Sequence, residues 1–187
     1  MNSRREERST HRRSGSPLLL MVALASLLLP VGCAGDEEPP PLVIEDHSGW
    51  SRTTTATLNF PVPGHGAGER KIFINPRGEE VEQPESASEP WNYPEGTVIV
   101  KEVYAEPDPP EDAPPSSLAI MVKAPDHPSN RGGWVWIGKE PGSDEQRIFT
   151  EQFCVTCHTN ANEEHPYNDG NPEEQFRDYV YYPYTGE

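Results

Sequence analysis

Four short runs rich in β-branched and aromatic residues constrain this chain most. They are KIFIN (71–75), TVIVKEVY (97–104), SLAIMVK (117–123) and GWVWIGK (133–139), each stopped by Gly, Pro or Asp. With 22 Pro and 15 Gly among 187 residues, long helices have no room. A weaker strand candidate lies at 54–60, and the best short helix spans 144–156. Residues 106–116 (EPDPPEDAPPS) read as a solvated loop between two strands, because proline cannot donate to a sheet ladder. No internal repeat is visible. The expected fold class is therefore α+β, mainly an antiparallel β-sheet with a few short helices.

The N-terminus is built differently. Arg4, Arg5, Arg8, Arg12 and Arg13 precede an unbroken apolar and small-residue run at 18–29. That run falls short of the ~20 residues a membrane-spanning helix needs, and it suits the core of an export signal. Val31-Gly32-Cys33 and the acidic, Pro-rich stretch after it resemble a bacterial lipoprotein signal, which would lipidate Cys33. Pro30 departs from that pattern, where Leu is usual; ordinary cleavage nearby is the competing reading. An odd exported cysteine also needs a role. The expected organisation is a signal peptide at 1–32, a tether at 33–49 and one domain at 50–187, held in the cell envelope by the lipid alone.

Loss of residues 1–32 removes five Arg and two Glu, leaving 10 basic and 29 acidic residues and a net charge of −19. Such a surface repels nucleic acid and anionic headgroups. It suits a basic redox partner or a neutral or cationic small substrate, and serves solubility in any case.

Cys154-Val155-Thr156-Cys157-His158 is a CxxCH motif, read as the attachment point of one covalent c-type haem. Two thiols three residues apart reach the two vinyl groups of one porphyrin, and His158 then supplies the proximal imidazole. A zinc site would want four ligands, and only His165 lies close. A thioredoxin-like pair belongs in a βαβ setting, which this chain lacks. A CxxC disulfide would close a small strained loop. Attachment of haem c outside the cytoplasm agrees with export.

The sixth ligand decides between electron transfer and small-molecule chemistry. Met121 sits mid-strand and reads as core or sheet surface. His47, His65, His127 and His165 fall in Gly-, Pro- or Asp-rich loops and read as solvated. The far side of the haem is expected to be open or weakly filled. Lys101 shares a strand face with Thr97, Ile99 and Val103, an unusual place for lysine unless it snorkels to the sheet edge.

The order KIFINP, YPEGTVIVKEVY, LAIMVK, GGWVWIGK, CVTCH and DYVYYPY resembles the cytochrome P-460 family, with its related β-type cytochromes c′, over roughly residues 50–184. The resemblance implies an antiparallel β fold, a homodimer and a five-coordinate haem. It matches Lys101 to a lysine bonded to the porphyrin edge. It implies oxidation of hydroxylamine, with nitric or nitrous oxide as product, or, on the c′ side, nitric oxide binding or buffering. An electron-transfer cytochrome c is a further alternative. The acidic stretch 159–176 is longer than the family pattern. Glu145, Glu151 and Glu163 compete for the role of distal carboxylate, and none can be chosen.

Overall fold

The computed structural model describes residues 41–60, 62, 64–65, 68–110, 112–163 and 171–186. Six strands form one sheet in sequence order, every neighbour antiparallel: β1 (Ser51–Arg52), β2 (Glu69–Ile74), β3 (Val98–Tyr104), β4 (Ser117–Lys123), β5 (Trp134–Lys139) and β6 (Gln146–Phe149). Helices are short: α1 (Pro76–Glu79), α2 (Phe153–His158) and a 3₁₀ turn (Thr159–Asn162). The mainly antiparallel β architecture is the one expected.

Register assigns each strand residue to a face. Lys101 opposes Ile72 on β2 and Ala119 on β4, and Ala119 opposes Gly138 on β5. Alternation then puts Ile72, Ile74, Ile99, Met121, Trp134 and Trp136 in one core, packed against Val155 of α2 and Val180 near the C-terminus. The opposite face collects Val98, Val100, Leu118, Ile120, Val122, Val135 and Ile137. Leu42 and Ile44, in the stretch read as a tether, pack on that second face, where Leu42 also exchanges hydrogen bonds with the Gln146 side chain.

Two local expectations fail. The stretch 144–156 splits: Gln146–Phe149 pairs with β5, and only Phe153–His158 is helical. Ladder pairing and burial of Ile148 against the second face outweigh a weak helical propensity. The candidate strand 54–60 contributes one isolated bridge, Leu58 to Arg70. After β2, Asn75 accepts from the amides of Gly78 and Val98, each at 2.9 Å, and so starts α1 while fixing where β3 begins.

Candidate haem site

Helix α2 presents Cys154 and Cys157 three residues apart, on one side of the helix. Both are free thiols and both line one cavity with His158. Burial pushes the Cys154 thiol pKa up, with Cys157 and Glu151 adding to the effect. The end of α2 is held by side chains: the Tyr181 hydroxyl donates to the Cys157 carbonyl at 2.6 Å, and Thr159 Oγ1 to that of Val155 at 2.9 Å.

His158 Nδ1 lies 2.8 Å from the Tyr179 carbonyl oxygen. A carbonyl only accepts, so Nδ1 carries the proton and Nε2 keeps its lone pair. The ring is packed by Trp136 at 4.6 Å and Tyr181 at 5.1 Å between centroids. Burial is the main reason its pKa falls to about 4, opposed by the Tyr179 hydrogen bond and helped by nearby Lys101. A neutral imidazole with a free Nε2 is the state a metal ligand requires.

The cavity measures about 670 Å³, within the ~300–1,000 Å³ range of cofactor and ligand sites. Lys101 lines it from the middle of β3, with the small residues Ala119 and Gly138 beside it in the same row. No hydrogen bond or ion pair engages its amine among the described residues. Burial first, and then the Arg70 guanidinium, hold its pKa well below the usual lysine range. Lys101 therefore faces the cavity rather than snorkelling to the edge.

Two cavity residues were not assigned to the site from the sequence: Arg70, which was not singled out, and His65, which was read as solvated. Arg70 on β2 is 2% exposed. One of its terminal nitrogens donates to the Phe60 carbonyl, its Nε has no partner among the described residues, and no carboxylate pairs with it there. A buried guanidinium without an anion is costly. His65 belongs to the cavity wall instead of solvent, its ring 6.2 Å from that of His158 and nearly perpendicular to it. Burial, together with Lys101, His158 and Arg70, lowers its pKa to about 3. Its ring nitrogens make no hydrogen bond among the described residues. Of the other histidines, His47 pairs with Glu102 at 2.9 Å on the far side of the sheet, and His127 Nδ1 accepts from the Ser129 amide at 3.1 Å. Both correct the solvated reading. Cys33 and His165 lie outside the described residues.

Met121 is buried in the core and lines the cavity too. Of the three competing carboxylates, Glu145 lines the cavity, as does Glu140; both are exposed, in the β5–β6 turn, and Glu151 and Glu163 are not in the lining.

These residues fit a haem on their own chemistry. The cavity has the volume, two free thiols and one Nε2 converge on it, and the Arg70 guanidinium, its Nε unpartnered and no carboxylate paired with it among the described residues, matches an anionic porphyrin side chain. Among the described residues no group of three or more His, Cys, Asp or Glu is placed to hold a metal ion by itself. The family model described as cytochrome P460 matches residues 45–182 of the chain. No curated protein matches it.

Proposed function

The chain belongs to the cytochrome P460 family and is a haem protein of that family; from this premise we propose that it oxidises hydroxylamine or a related nitrogen oxide at a single c-type haem. Cys154 and Cys157 would carry the thioethers, His158 Nε2 the iron, and Lys101 a further bond to the porphyrin edge. One observation carries this reading: Lys101 points its amine, held towards the neutral nucleophilic form, into the same cavity as both thiols and His158.

Bound there, haem iron supplies one-electron chemistry and a position for a nitrogen ligand. The protein supplies the rest. Tyr179 keeps His158 in the Nε2-ligating tautomer. Arg70 would offset the negative charge of the porphyrin side chains. Oxidation of hydroxylamine releases protons; His65 lines the cavity, and its lowered pKa keeps the ring neutral, which suits it to orient a ligand rather than to hold a released proton. Trp136, Ile99 and Phe149 exclude water from the apolar wall.

A second reading is favoured by one feature: the cavity's carboxylates, Glu140 and Glu145, are exposed in a turn, so its interior holds none among the described residues. A protein without an interior carboxylate would bind or buffer nitric oxide with little turnover. Steady-state assay with hydroxylamine and an artificial electron acceptor separates the two. Sustained turnover supports the first reading, and tight nitric oxide binding without turnover supports the second. Export, a lipid anchor on Cys33 and homodimerisation belong to the same proposal and rest on the sequence.

A further inference from the structure

The carbonyl that meets His158 belongs to a turn in an unusual conformation. Asp178 has φ 52° and Tyr179 φ 68°, two consecutive non-glycine residues in the left-handed region. Side chains rarely adopt that region, and such a pair persists only where its surroundings over-determine it.

Those surroundings are specific. The Asp178 carboxylate, 4% exposed, accepts from Lys123 Nζ at 2.7 and 2.6 Å, from Trp134 Nε1 at 3.2 Å and from the Tyr93 amide at 3.3 Å. Three segments thus grip one side chain: β4, β5 and the loop before β3. Asn162 Oδ1, from the turn after α2, accepts from the amides of Arg177 at 2.8 Å and Tyr179 at 3.3 Å. Gly132 completes the clamp. A Cβ there would lie 2.9 Å from the Tyr179 ring and 3.0 Å from Val155, and its own φ is 69°. Neither Asp178, Lys123 nor Trp134 lines the cavity.

We propose that Asp178, gripped by Lys123 and Trp134, is a positioning residue that pins the Tyr179 carbonyl against His158 and thereby sets the electron donation of that imidazole to haem iron. The inference rests on His158 being the haem ligand, as argued above. A firmly placed acceptor on Nδ1 makes the opposite nitrogen a stronger donor and favours ferric over ferrous iron. Loosening the turn weakens that hydrogen bond and raises the reduction potential.

The test uses the full chain loaded with haem and two single substitutions, Asp178→Asn and Lys123→Gln. Reduction potential and the ferrous iron–histidine stretching frequency by resonance Raman are read for each. Loosened positioning shifts both variants the same way: potential up, stretching frequency down. Plain electrostatics predicts opposite signs, because one substitution deletes a negative charge and the other a positive one. Opposite shifts, or an unshifted potential in haem-loaded variants, overturn the proposal. If Asp178→Asn does not fold, Lys123→Gln still decides, since electrostatics alone would lower its potential. Mass measurement of haem attachment in the unsubstituted protein is done alongside. Haem missing from the CVTCH peptide overturns the ligand assignment itself, whereas normal attachment with unshifted potentials overturns only the role of Asp178.

Discussion

Alternate residues of the same strands face two different worlds. On one side Val98, Val100, Leu118, Ile120, Val122, Val135 and Ile137 form a continuous aliphatic layer. On the other, Ile99 and Met121 share a surface with Arg70, Lys101 and Lys123, with Ala119 and Gly138 leaving space between them. Of those three cations only Lys123 has a carboxylate partner among the described residues, Asp178. Residues placed for packing are interchangeable in kind and stabilise by area. Residues placed for a site are individually costly, and each needs a chemical reason to stay. The sheet separates the two by strand parity alone.

Substitutions on the two faces should therefore fail differently, and the greatest contrast comes first. Replacing Cys154 and Cys157 together by Ala is expected to abolish covalent haem, so that all pigment is lost to acidic organic extraction, while Val122→Ala keeps its haem. Ile120 is 2% exposed on the aliphatic side. Ile120→Ala should cost ~2–5 kcal/mol in urea unfolding and leave the mass of the haem peptide unchanged. Loss of haem there at full stability would break the division between faces.

Lys101→Met should act in the opposite sense in haem-free protein, stabilising it near neutral pH. The native lysine has a lowered pKa, so between that value and ~10.4 the unfolded chain binds more protons than the folded one. Wild-type stability relative to Lys101→Met consequently rises with pH across that window and levels off above it. Chemical denaturation at several pH values checks the slope, and a flat difference would mean the amine is solvated. The smallest effect is expected from Lys71, whose ammonium sits 4.7 Å from the Tyr104 ring centroid on the aliphatic side. Lys71→Ala should cost about 0.5 kcal/mol, with haem content and potential unaltered.

How much of this was legible beforehand depended on periodicity. SLAIMVK became β4 residue for residue, and TVIVKEVY became β3 but for its first threonine, because runs of β-branched residues stopped by Gly, Pro or Asp declare both strand and face. Lys101 was visible as a cation on an apolar face. Arg70 could have been found by the same parity, two residues ahead of Ile72 and four ahead of Ile74, had KIFIN been extended back to Glu69. Gln146–Phe149 was missed because an edge strand's identity comes from its partner, here β5, and not from its own weak pattern. His65 and Tyr179 had no local signal at all. The first sits in a Gly- and Pro-rich loop, and the second takes a left-handed conformation that only its tertiary contacts impose.

The central claim is that one haem is held covalently by both helix α2 and strand β3. Mass spectrometry of proteolytic peptides from denatured, haem-loaded protein tests it directly. The account predicts one species in which haem joins the CVTCH peptide, through Cys154 and Cys157, to the peptide containing Lys101. A CVTCH peptide recovered free of haem, or one carrying haem but separate from the peptide that contains Lys101, would contradict the account.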